Sequence, residues 1–334
     1  MVRLAVIGAG YWGPNLIRNF YGIDRNCVRY VCDQDAAVIG KLKSSFPGVE
    51  FVSDHNLVLN SPDVDAVVIA TQPASHFGLS KAALERGKHV FVEKPLALRT
   101  SEAEELLALS TAKNRVLMVG HLLRYHPAVK LLKDYLERGE LGEILYIYST
   151  RVNLGKVRQD ENALWSFAPH DIAVIIYLMG RKPVSVSAVG QSYLKTGVED
   201  VVFLTIFFEG NCMAHVHVSW LDPHKIRKLT VVGNKKMAVF DDMEAAEMIR
   251  IYDKGVDYTP GFKSYSEAVS LRVGDILIPR VPMKEPLRIE CEHFIECVEQ
   301  GKHPMSDAEE GVAVVRVLEG AQKSMHLSGS VVKL

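Results

Sequence analysis

Gly8-Ala9-Gly10-Tyr11-Trp12-Gly13 directly follows the apolar run Leu4 to Ile7 and precedes a stretch with helical spacing. Glycines so placed leave the chain few ways to fold. The first permits a tight turn, the second lets the backbone approach a bulky anion, and the third lets a helix pack closely on the strand. That helix turns free N–H groups and the positive end of its dipole toward the turn, a seat for a diphosphate. Pro14 in its first turn costs nothing, because that amide has no intrahelical partner. Asp33 stands twenty residues beyond Gly13, at the end of a second apolar run, Val28 to Cys32. A carboxylate there accepts from ribose hydroxyls and repels a 2′-phosphate. The reading is a dinucleotide site on Gly8, Gly10, Tyr11, Trp12, Gly13 and Asp33, with NAD favoured and NADP left open.

Further apolar runs, Ala66 to Ala70, Val90 to Val92 and Val116 to Val119, alternate with helical patterns. Runs without polar alternation are strands covered on both faces, and helices between them imply a parallel, doubly wound sheet. After His121 the pattern changes. A helix is predicted over Pro127 to Arg138 and a strand over Ile144 to Val152. The runs Val184 to Val189, Val201 to Phe208, Met213 to Trp220, Ile226 to Val232 and Met237 to Phe240 then follow, with turn signals between them. That spacing predicts a mostly antiparallel sheet of about six strands. Two helices close the chain, one between Pro286 and Gly301, the other behind a Ser306-x-x-Glu309 capping box. Residues 253 to 285 carry no readable pattern.

Lys and Arg number 39 against 40 Asp and Glu, a net charge of −1, so no long-range field gathers nucleic acid or an anionic membrane. The longest apolar stretch, Ile172 to Met179, is too short to cross a bilayer, and Asn15 and Arg18 break any leader-like pattern. Five cysteines without a C-x-x-C pair argue against disulfides and zinc and for a reducing cytoplasm. His215 and His217 alternate on one strand but lack a third ligand at recognisable spacing, so they read as a polar sheet face or subunit interface, and no metal is expected.

A second block, Gly87-Lys88-His89-Val90-Phe91-Val92-Glu93-Lys94-Pro95-Leu96, ends a strand on Glu-Lys-Pro. Together with the glycine fingerprint, Thr71-Gln72-Pro73, His76 and Arg124-Tyr125-His126-Pro127, it resembles the Gfo/Idh/MocA oxidoreductases, the glucose–fructose oxidoreductase and inositol dehydrogenase group, over essentially the whole chain. The resemblance implies an α/β Rossmann domain, residues 1–122, followed by an α+β domain, residues 123–334, with a large, mostly antiparallel open sheet for substrate binding and for a homodimer or homotetramer. It implies nicotinamide held between the two, with Thr71, Pro73, His76, Glu93 and Lys94 at the cofactor. Lys94 is then catalytic, and its bond to Pro95 is expected to be cis. The substrate class is a sugar-like secondary alcohol or its ketone.

Hydride transfer from an alcohol carbon also needs a base for the hydroxyl proton, and a lysine depressed by burial suits that task. Trp165-Ser166-Phe167-Ala168-Pro169-His170-Asp171 occupies the place of the family's D-x-x-x-H element, with His170 as the histidine. Pro169 is predicted as the first helical residue, which puts His170 in the opening turn, where the dipole favours neutral imidazole. Ser166 stands where the family carries aspartate. It can hydrogen-bond but cannot balance an imidazolium. Tyr125, Arg158 and His170 are the expected substrate contacts, and Arg151, Lys156 and Arg158 would suit the phosphates of a nucleotide-linked sugar. His121 and His126 belong near the same site. Two other readings stay open: an enzyme that recycles its NAD within one turnover, as family glycosidases do, and a non-catalytic dinucleotide sensor or scaffold.

Overall fold

The computed structural model describes residues 2–155, 161–258 and 269–334. Lys156 and Arg158 lie outside the described residues. The chain divides into two compact units, Met1–Tyr125 with Lys284–Glu319, and His126–Met283 with Gly320–Leu334.

The first unit is a six-stranded sheet in the order β3-β2-β1-β4-β5-β6, parallel throughout. Its strands are β1 (Leu4–Ile7), β2 (Val28–Cys32), β3 (Glu50–Val52), β4 (Ala66–Ile69), β5 (His89–Glu93) and β6 (Leu117–Gly120). β1, β4 and β6 are buried at every position, as continuous apolar runs covered on both faces must be. Helices α1 (Gly13–Ile23), α2 (Ala36–Lys43), α3 (His55–Asn60), α4 (His76–Glu85) and α5 (Thr100–Lys113) make the crossovers. The later helices α8 (Pro286–Gln300) and α9 (Ala308–His326) begin beyond residue 283, yet α8 and most of α9 pack in this unit. An aromatic cluster is the reason. Phe294 of α8 meets Phe91 of β5 and Phe20 of α1 edge to face, with centroids 5.6 and 6.2 Å apart. All three rings are fully buried, worth roughly 1.5–3 kcal/mol each. A division between residues 122 and 123 therefore separates Lys284–Glu319 from the unit with which it packs.

The second unit is a nine-stranded sheet in the order β14-β13-β12-β11-β7-β10-β9-β8-β15, antiparallel except for the β10/β7 pair. Its strands are β7 (Ile144–Val152), β8 (Pro183–Gln191), β9 (Val201–Phe208), β10 (Cys212–Ser219), β11 (Ile226–Gly233), β12 (Met237–Asp241), β13 (Ile249–Tyr258), β14 (Val269–Leu277) and β15 (Val332–Lys333). Three strands thus exceed the predicted six; β14 and the second half of β13 come from the stretch with no readable pattern. α6 (Pro127–Glu137) and α7 (Ala163–Met179) belong to this unit. The sheet alternates cleanly. Val202, Leu204 and Ile206 with Ala214, Val216 and Val218 are buried, and α7 packs against these strands. The opposite face carries Phe203, Tyr146, Tyr148 and Met213, 39–43% exposed, with Phe203 stacked on His217 at 4.3 Å.

Two local expectations are corrected. Ser306 does not cap α9. Its hydroxyl donates to Val119 O, and Asp307 Oδ1 takes the Glu310 amide instead. Pro169 is not the first residue of its helix but lies within α7, which starts six residues earlier behind Asn162, whose Oδ1 accepts from the Trp165 amide. All five cysteines are free and buried. No helix among the described residues is long and apolar enough to cross a membrane.

Candidate active site

The glycine turn has the geometry its sequence demands. Gly8 has φ +95°, and a Cβ there would stand 2.7 Å from the Ala70 carbonyl carbon and oxygen. A Cβ on Gly13 would lie 2.3 Å from Gly8 O. Gly10 differs, because a Cβ there would meet nothing within 4 Å and the glycine is exposed. Open space over Gly10 is the cradle a pyrophosphate would fill. α1 carries no side-chain cap and no acid in its first turn, which leaves its positive end to an anion. Asp33 Oδ2 accepts from the Ala9 amide at 2.6 Å and Oδ1 from the Asp35 amide at 2.9 Å. These bonds fix the carboxylate beside the turn. The residues present therefore fit a dinucleotide.

The other expected cofactor residues share this unit but not one task. Tyr11 projects into solvent, 87% exposed. Trp12 turns inward to bond the Glu93 carboxyl. Thr71 Oγ1 meets Ser75 Oγ at 2.7 Å, and Ser75 Oγ donates to Gln72 O, which ties the turn around Pro73. His76 is 1% exposed, with Nδ1 2.7 Å from Pro95 O and Nε2 3.1 Å from Thr71 O. It holds two backbone segments, and burial lowers its pKa. The Lys94–Pro95 bond is cis. Glu93 also receives the Lys94 amide at 3.3 Å. Burial pushes the Glu93 carboxyl up to about 7, against the opposing Lys94 charge. Gly120 makes room for it, since a Cβ there would stand 3.0 Å from the carboxyl.

Tyr125, expected at the substrate, is 3% exposed, and its hydroxyl lies 3.0 Å from Ser306 Oγ in the first unit's interior. His126 caps α6, its Nδ1 accepting from the Ala128 amide.

In the second unit, Ser166 and His170 lie one turn apart on the same face of α7. His170 is therefore a mid-helix residue, and no opening-turn dipole acts on it. Sequence reasoning missed the bond beside it. Asp171 is buried and accepts from Arg151 Nε and Ser149 Oγ, both at 2.5 Å. Arg151 is thus committed to Asp171 rather than to a ligand. Ser149 and Arg151 are two apart on β7, so both face the helix, and the pair anchors α7 next to His170. The alternation was legible in the sequence; the partner, twenty residues on, was not. Among the described residues, no group of three or more His, Cys, Asp or Glu could hold a metal.

Comparison with known proteins agrees with this architecture. Residues 2–121 match the oxidoreductase family with an NAD-binding Rossmann fold, GFO_IDH_MocA, and residues 129–239 match the GFO/IDH/MocA C-terminal domain. The UDP-N-acetylglucosamine 3-dehydrogenase of Acidithiobacillus ferrooxidans is 27% identical over 96% of this chain and 95% of its own. The NAD-dependent scyllo-inositol 2-dehydrogenase of Bacillus subtilis is 27% identical, covering 91% of this chain and 88% of its own. A crystallised protein from Magnetospirillum magnetotacticum superposes with a TM-score of 0.79 at 32% identity, covering 96% of this chain and 99% of that one. With its glycine cradle, its acid at the second strand end and its Glu-Lys-Pro turn, the chain belongs to the GFO/IDH/MocA family of NAD-binding oxidoreductases.

Proposed function

We propose that this protein oxidises a secondary alcohol of a sugar-like substrate, or reduces the corresponding ketone, with Lys94 and His170 handling the proton. Bound NAD supplies the hydride acceptor. The single observation that carries the reading is the Glu93–Lys94–Pro95 turn, pinned by His76 and lying at the carboxyl end of β5, in the same sheet as the glycine cradle. Ligands of open α/β sheets bind at the carboxyl ends of the strands. An amine there can take the hydroxyl proton as the carbonyl forms. Ser166, on the His170 face of α7, can accept or donate a hydrogen bond to the imidazole.

The first 122 residues carry the cofactor in this reading, with Lys284–Glu319 packed in the same unit, and the rest of residues 123–334 carries substrate specificity and assembly. The names of the relatives support a nucleotide-linked sugar or a cyclitol, and Arg158 is the candidate for a phosphate-bearing ligand. The aromatic outer face of the nine-stranded sheet supports a homodimer or homotetramer, and the free cysteines support a cytoplasmic setting. The test is NADH formation with a panel of UDP-sugars, dTDP-sugars, inositols and free sugars, together with Lys94→Ala. The reading requires that K94A still binds NAD and loses turnover. Full turnover by K94A overturns it. Turnover without net NADH accumulation would instead favour internal cofactor recycling.

A further inference from the structure

β5 and β6 are adjacent parallel strands whose register sets Glu93 opposite Gly120. Lys94 and His121 are therefore each the first residue beyond a paired position, on neighbouring strand ends about 4.8 Å apart. His121 is 1% exposed. Its Nδ1 lies 2.9 Å from Glu310 Oε1. The other oxygen, Oε2, accepts from Arg124 Nε at 2.7 Å, and Arg124 also donates to Met305 O at 2.8 Å. Glu310 is thus shared between the imidazole on one oxygen and the guanidinium on the other. An acceptor on Nδ1 places the ring proton there. Nε2 is then left as a lone pair, buried and with no hydrogen-bond partner among the described residues. A buried acceptor left unmatched is costly unless something meets it.

We propose that the Glu310–His121 pair is a proton relay for Lys94. The inference rests on Lys94 being the group that takes the hydroxyl proton. In alcohol oxidation the substrate O–H bond breaks and its proton goes to the Lys94 amine, while the C–H electron pair leaves with its hydrogen to the bound nicotinamide. One N–H bond of the resulting ammonium then breaks, and a new N–H bond forms at His121 Nε2. The positive charge comes to rest on an imidazole that Glu310 already faces, and the lysine returns to its amine form. In ketone reduction the same steps run backwards. His121 thus acts through Lys94 and is a positioning and relay residue, not one that touches substrate. The charged and titratable groups on the elements packed against it are Glu93 and Lys94 at the end of β5, Arg124 and Tyr125 from its own turn, Asp307 just before α9 and Glu310 in it, and Glu290 and His293 from α8, which packs on that turn.

The first test needs no substrate. Imidazole ¹⁵N NMR of the whole protein, assigned with His121→Gln, is expected to show the proton on Nδ1 and a bare Nε2. Reductive ¹³C-methylation, with the Lys94 signal assigned by Lys94→Arg, is expected to give a Lys94 titration curve with a second inflection from its coupling to the imidazole. His121→Phe removes that inflection. The second test uses whichever sugar the panel above identifies. His121→Ala lowers kcat roughly hundred- to ten-thousand-fold. KM and NAD affinity stay unchanged, and added imidazole restores turnover. A protonated Nε2, a Lys94 curve indifferent to H121F, or an H121A protein that binds NAD but ignores imidazole each overturns the relay. Should H121A fail to fold, the NMR measurements on wild type and H121Q decide alone. Full turnover in K94A overturns the Lys94 reading and the relay with it, whereas an inactive K94A without coupling to His121 removes the relay only.

Discussion

Glu290 offers a sharp test of how this fold handles charge. It sits on α8 one turn before Phe294, is 0% exposed, and neither carboxyl oxygen has a hydrogen-bond partner among the described residues. Burial, with Glu93 adding to it, raises the Glu290 pKa well above the usual carboxylate range, so the folded protein holds this group as the neutral acid. The unfolded chain has no such constraint and ionises near about 4.3. Stability from this group is therefore fully present below that value and is lost as pH rises toward the folded pKa, by about 1.4 kcal/mol per pH unit. Glu290→Met removes the titration and fills the site with an apolar chain of similar length. Between pH 5 and 7 the stability difference, variant minus wild type, should rise by up to about 3 kcal/mol. At pH 7 the variant should also gain about 1–3 kcal/mol by losing an unsatisfied buried polar group. Glu290→Gln should flatten the pH slope without that gain, since its amide is equally unpartnered. Urea unfolding and calorimetry at pH 5, 6 and 7 measure both quantities. Parallel curves for wild type and E290M, or an E290M protein less stable than wild type at pH 7, would refute the reasoning.

Replacing Gly10 by Val should leave the thermal midpoint unchanged and weaken NAD binding at least tenfold, because the new side chain meets only the space reserved for the pyrophosphate. Gly13→Ala should instead lower the midpoint, since its methyl would press on the Gly8 carbonyl; calorimetry and fluorescence titration separate the two. Arg151→Met should cost about 3–5 kcal/mol by stranding the Asp171 carboxylate, while adding Asp171→Leu to it should recover most of that loss in a double-mutant cycle. Gly120→Ala should crowd the Glu93 carboxyl and perturb Lys94, read as a shifted pH profile of turnover.

The fingerprint, Asp33 and the Glu-Lys-Pro turn were legible because their chemistry is local: each depends on residue types at fixed short spacing between a strand and a helix. The apolar runs and the turn signals between them likewise announced β7 through β12, because a hairpin's turn residues sit at fixed short spacing between its strands. Pro169 misled for the same reason. Read locally it marks a helix start, but burial of Leu164 and Ala168 together with Ile172 extends the helix past it. Only tertiary packing joined Glu310 to His121 across 189 residues, set Asp171 against Arg151, turned Tyr125 inward, and returned α8 to the parallel sheet. Spacing along a chain encodes which backbone forms and which face is apolar. Which buried polar groups meet is decided by packing of segments far apart in sequence, where each donor must find an acceptor or lose the water it gave up.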